Sequence, residues 1–108
     1  MLQITKNYAG APLEVSVGES FELRLPENPT TGYRWTLRSN GQPVVELQAD
    51  SFETSAGLCG AGGTHIWRFR ASQAGVGELA TDLRRSWEKR ATETFNVSVQ
   101  VKPAQPTN

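Results

Sequence analysis

A single cysteine, Cys59, in 108 residues rules out an internal disulfide and any multi-cysteine zinc site. An excess of one charge is missing as well. The 11 Lys and Arg residues offset the 11 Asp and Glu residues, and the two signs are mixed along the chain. Nucleic-acid binding would need a basic excess or stripe, and an anionic membrane surface would need the same. No apolar run approaches the ~20 residues of a membrane-spanning helix. The opening segment "MLQITKNYAG" alternates like a strand and has no apolar h-region of a signal peptide. On this reading the protein is cytoplasmic, or a periplasmic or secreted form whose leader has been replaced by Met. Helical periodicity is also absent from every window of useful length.

Period-2 alternation fills the space. Val15 and Val17 alternate with polar residues, as do Phe21, Leu23 and Leu25, then Tyr33, Trp35 and Leu37. A less regular run, "VVELQ", extends toward Phe52. Trp67, Phe69 and Ala71 follow, then Leu79, Thr81 and Leu83, and finally Phe95, Val97, Val99 and Val101. Glycine- and proline-containing turns punctuate these runs. About seven short strands, each with one apolar face, predict an all-β, immunoglobulin-like antiparallel β-sandwich with no disulfide; an up-and-down barrel is the competing arrangement. Trp35, on the third of these strands, sits where such folds bury a core Trp. A chain of this length makes one domain. The end, "KPAQPTN", has too little apolar content to pack. The domain is therefore expected to span residues 1–102, with 103–108 as a flexible tail.

Strand direction alternates in a sandwich, so every second connection emerges at the same end. Three connections then share one end: "PENPTTG" (26–32), the segment within "TSAGLCGAGG" (54–63) and "RSWEKRA" (85–91). The opposite end carries only ordinary polar turns. Each of the three has a bland reading as punctuation: prolines ending a strand, glycines making a connector, Trp87 folding back over the core. Trp87 argues against blandness. Unlike Trp35 and Trp67 it lies on no alternating face, and five charged residues surround it. An exposed Trp beside arginines has the composition of a binding hot spot.

The loops also carry motifs. "NPTTGY" (28–33), then "GAGG" (60–63), then Arg85-Ser86-Trp87 resemble, in order and spacing, the chagasin family of cysteine-protease inhibitors, whose NPTTG[YF], GxGG and RP[WF] motifs lie on the B–C, D–E and F–G loops of an immunoglobulin-like fold. The resemblance spans nearly the whole chain. It implies a reversible, tight-binding inhibitor whose partner is a papain-like cysteine protease, with no cofactor and a free form that is monomeric. By position, Asn28, Pro29, Thr30, Thr31, Gly32 and Tyr33 would enter the catalytic centre, Thr31 nearest the protease Cys–His pair. Gly60, Ala61, Gly62 and Gly63 would lie along the substrate-binding strand of one protease wall. Arg85, Ser86 and Trp87 would meet the opposite wall on the leaving-group side. The chemistry is coherent: Pro29 pre-sets its own φ and pushes Asn28 toward an extended shape, which reduces the ordering cost of docking. Threonine hydroxyls can hydrogen-bond near a thiolate–imidazolium pair without burying a charge. Ser86 departs from the family's Pro, which removes a φ constraint from that loop.

Two other classes compete with this reading. Catalysis would need a nucleophile, a base and an orienting group. The chain offers only Cys59 and His65, six residues apart, and alternation puts His65 on the Trp67 face as a structural residue. A carbohydrate-binding or adhesion module would need a platform of exposed aromatics. Trp87 is one, while Tyr33 is expected to turn inward with Trp35.

Overall fold

The structure, a computed structural model, describes residues 2–8, 11–28, 31–54 and 62–104. The described residues form eight strands: β1 (Leu2–Thr5), β2 (Leu13–Ser16), β3 (Ser20–Glu27), β4 (Arg34–Asn40), β5 (Val45–Thr54), β6 (Gly63–Ala71), β7 (Gly75–Arg84) and β8 (Glu93–Lys102). They form two four-stranded sheets, ordered β1-β3-β6-β5 and β2-β8-β7-β4, so the sandwich and not the barrel is the architecture.

Two features differ from the expectation. An eighth strand, β1, precedes the seven: the opening segment that alternates like a strand is one, with Ile4 as its single buried side chain, opposite Leu23. The sandwich is also not wholly antiparallel, because β1 pairs parallel to β3 and β2 parallel to β8. β1 lies in one sheet and β2 in the other, each beside a strand running the same way. All other pairs are antiparallel.

The alternation on β3, β6 and β8 supplies the core: Phe21, Leu23 and Leu25 meet Trp67 and Phe69, and Phe95, Val97, Val99 and Val101 face them from the second sheet. Full burial of each such side chain contributes roughly 1.5–3 kcal/mol. Phe21 stacks on Phe69 with ring centroids 5.4 Å apart. Thr81, the polar member of an otherwise apolar face, is fully buried and donates its hydroxyl to the Phe95 carbonyl at 2.8 Å, so its burial leaves no orphan donor.

The irregularity of the fourth alternating run has a local cause. Between Leu47 and Ala49 the pairing of β5 with β6 slips by one residue. A bulge inverts the phase of a strand, so Asp50 and Phe52, and not their neighbours, share the face of Val45 and Leu47. β8 ends at Lys102, and Pro103 and Ala104 are exposed beyond it.

Candidate functional site

Strand register gathers the three loop roots at one end. Glu27 at the end of β3 and Thr54 at the end of β5 are both paired with Gly63 at the start of β6. In the other sheet Arg34, opening β4, is paired with Arg84, closing β7. Of the expected site residues, Asn28, Thr31, Gly32, Tyr33, Gly62, Gly63, Arg85, Ser86 and Trp87 belong to this end. Pro29, Thr30, Gly60 and Ala61, and Cys59 with them, lie outside the described residues.

The first loop is held as a turn by the Thr31 hydroxyl. It donates to the Asn28 carbonyl at 2.8 Å and accepts from the Tyr33 N–H at 3.4 Å, while the Thr31 N–H reaches the same Asn28 carbonyl at 3.2 Å. Gly32 follows with φ +81°, a conformation that costs other residues Cβ strain. The third loop is closed by Glu88. Its carboxylate accepts from the Arg85 N–H at 3.0 Å, its own N–H donates to the Arg85 carbonyl, and its carbonyl accepts from Arg84 Nη1. Ser86 and Trp87 occupy the exposed middle of that turn.

Arg85 ties the two loops together. Its Nε–H donates to the Thr31 carbonyl at 3.3 Å, and its guanidinium carbon lies 4.4 Å from the Tyr33 ring centroid and 5.7 Å from that of Trp87. Cation–π contacts of this kind contribute about 0.5–1 kcal/mol each at exposed sites. Tyr33 therefore does not turn into the core with Trp35, as alternation predicted. It precedes β4, is half-buried, and supports the arginine instead. Trp87 remains 73% exposed, against 3% for Trp35 and 1% for Trp67.

Beneath the loops lies a polar anchor. Glu27 continues the inward parity of Phe21, Leu23 and Leu25, and its carboxylate is buried. Oε2 accepts from the Trp35 N–H at 3.0 Å and lies 2.8 Å from His65 Nδ1; His65 Nε2 lies 2.5 Å from Asp50 Oδ1. The imidazole also stacks on Trp67 at 3.8 Å between centroids. The Trp35 indole N–H donates to the Pro26 carbonyl at 2.8 Å, stitching β4 to the end of β3 in the other sheet. His65 is thus a structural residue in a three-sided clamp. Among the described residues no set of His, Cys, Asp and Glu could hold a metal ion.

The glycines of the second loop have work within the chain. A Cβ on Gly62 would lie 2.8 Å from the Glu27 carbonyl oxygen, and one on Gly63 would meet the Glu53 carbonyl and lie 2.7 Å from Phe52 Cζ. Only glycine lets β3, β5 and β6 converge this closely at the loop root.

Comparison with known proteins matches residues 14–99 to the description "Chagasin family peptidase inhibitor I42". The chain belongs to the chagasin family. It is 31% identical over 105 residues to chagasin of Trypanosoma cruzi, covering 93% of this chain and 96% of that protein. The fold is similar to the crystal structure of EhICP2, a cysteine protease inhibitor from Entamoeba histolytica, with TM-score 0.80, 19% identity and 94% of both chains covered. It is also similar to PbICP-C in its complex with falcipain-2, with TM-score 0.65, 13% identity and coverage of 96% and 100%. As a chagasin-family chain it is a peptidase inhibitor and not an enzyme. Two features of this end of the sandwich are not legible in the sequence: the bracing role of Arg85 and the clamp of Glu27, His65 and Asp50. The parity of Glu27, a carboxylate in line with three core residues, was the available signal for the second.

Proposed function

We propose that this protein inhibits papain-like cysteine proteases reversibly, by seating the loops around residues 28–33, 60–63 and 85–87 in the active-site cleft. The observation that carries the reading is the Arg85 brace. It joins the Thr31–Gly32 turn to the Trp87 turn and leaves Trp87 unpacked at the tip. A large aromatic held outward on a pre-organised loop loses little entropy on docking. In this reading Thr31 approaches the catalytic Cys–His pair with its hydroxyl proton engaged by Asn28, so the side chain meets the protease as an acceptor. Trp87 contacts the leaving-group wall, and the 60–63 segment runs along the opposite wall. Family membership supports this assignment, and Tyr33, covered by Arg85, does not stand beside Trp87 as an open face for a sugar ring.

Titration of the purified protein into papain with a fluorogenic substrate tests the proposal. Stoichiometric loss of activity, recovered on dilution and without cleavage of the added protein, is the expected result. Progressive cleavage of the added protein with no loss of papain activity would overturn it.

A further inference from the structure

Beside the braced tip, on the outer face of the β4–β7 pair, a groove of about 470 Å³ is lined by Gly32, Arg34, Thr36, Arg84, Ser86 and Trp87. Arg34 and Arg84 are direct register partners across the two strands, and both are exposed. Like charges placed opposite one another oppose strand pairing, so an anion bound across the two guanidinium groups would relieve this pair. Among the described residues no carboxylate forms an ion pair with either, although on its other side Arg34 borders a cavity lined by Glu27 and Asp50. Among the described residues the Arg34 side chain has no ion pair or hydrogen bond, and Arg84 spends Nη1 on the Glu88 carbonyl and not on a carboxylate. The acids nearby are committed: Asp82 to Arg38, Glu88 to the Arg85 N–H, Glu93 to Lys6, and the Asp50 Oδ1 to His65. Lys89 and Arg90, in the same loop, also have no ion pair among the described residues.

We propose that this groove is an exosite that selects papain-like proteases bearing carboxylate side chains on the rim of the leaving-group wall. The inference rests on the proposed inhibition and adds the charge of the preferred target. Gly32, Ser86 and Trp87 belong to both the tip and the groove, so a protease wall that receives Trp87 continues directly over Arg34 and Arg84. Guanidinium groups pair carboxylates in a bidentate fork, and a local cationic flank on an otherwise neutral protein steers encounter more than it deepens affinity. The patch is too short to track a nucleic-acid backbone, which leaves an acidic protein rim as its occupant.

The test compares association rates of the parent, Arg34→Ala, Arg34→Glu and Arg70→Ala with two probes. One is papain; the other is papain carrying aspartates substituted on the rim of its leaving-group wall. Arg70 is exposed on β6 in the opposite sheet and serves as the charge control. With the aspartate-bearing papain at low salt, the parent is expected to associate about tenfold faster than Arg34→Glu, the Arg34→Ala variant falling between them. The gap should shrink as salt rises from about 50 mM to about 500 mM, where the Debye length falls from over 10 Å to a few ångströms. Arg70→Ala should match the parent. If Arg34→Glu associates with both papains as fast as the parent does, the exosite is wrong while the inhibitor reading stands. If the parent inhibits neither papain, both readings fall together.

Discussion

The Nε–H of Arg85 donates to the carbonyl of Thr31 at 3.3 Å, joining two turns that are 54 residues apart in the chain. The same guanidinium lies over Tyr33 and beside Trp87. Removal of this side chain should loosen the tip without unfolding the sandwich, because none of these partners belongs to the core. Arg85→Ala is expected to weaken papain inhibition by roughly 1–3 kcal/mol, mostly as faster dissociation. Arg85→Lys should recover little, since an ammonium lacks the planar face that stacks on both rings. Dissociation rates of the three proteins check this; an Arg85→Ala variant that dissociates like the parent would show that the brace is idle.

Gly63 offers a separate test, of stability. A methyl group there meets the Glu53 carbonyl and the Phe52 ring, and the two strands it joins to β6 would have to part. Gly63→Ala should cost about 1–3 kcal/mol of folding stability, read as a lowered urea midpoint with an unchanged slope. An unchanged midpoint would mean that the strand ends are not packed as closely as described.

The clamp beneath the loops predicts a distinction between two substitutions of one residue. Glu27→Leu fills the buried volume but deprives the Trp35 N–H of its acceptor, at a cost of about 1–3 kcal/mol. Glu27→Gln keeps an acceptor oxygen and should lose less. Chemical denaturation of both variants measures the difference, and equal stability of the two would remove the hydrogen bond from the account.

A pH dependence follows from Glu22, on the outer face of β3. Burial pushes its carboxyl up, but hydrogen bonds and charge attraction from Arg24 and Arg68 outweigh burial and hold it below the ordinary value of 4.5. A carboxyl with a lower pKa folded than unfolded stabilises the protein fully above the unfolded value. That stabilisation is lost as pH falls through the folded one. Between about pH 5 and pH 3 the parent should therefore lose more stability than Glu22→Gln, which has no such proton to take up. Parallel denaturation profiles for the two proteins would contradict this.

How far the sequence reached can be judged from particular residues. Trp35, Trp67 and the alternating apolar residues of β3, β6 and β8 revealed the sandwich because burial on one face of a strand imposes a period of two. The same rule marked the opening segment as strand-like, but with Ile4 as its single buried side chain β1 was not counted among the seven; it failed for Tyr33, whose parity pointed inward although the chain has not yet entered β4. The bulge at Leu47 and Ala49 blurred β5 for a related reason, since it breaks the period midway. At the tip, motif order placed the loops together, whereas the contacts of Arg85 with Thr31, Tyr33 and Trp87 depend on side-chain geometry between distant segments. No local pattern encodes that geometry. The cross-strand pairing of Arg34 with Arg84 was invisible for the same reason, as it requires the register of β4 against β7.

On the proposed reading the tip enters a protease cleft with Trp87 as an anchor. The inhibition constant of Trp87→Ala against papain, measured beside the parent, tests it most directly. At 73% exposure the indole contributes little to folding, so the variant should keep the parent's thermal midpoint while losing at least about 2 kcal/mol of binding, roughly thirtyfold in the inhibition constant. A folded Trp87→Ala protein that inhibits papain as tightly as the parent would contradict the account.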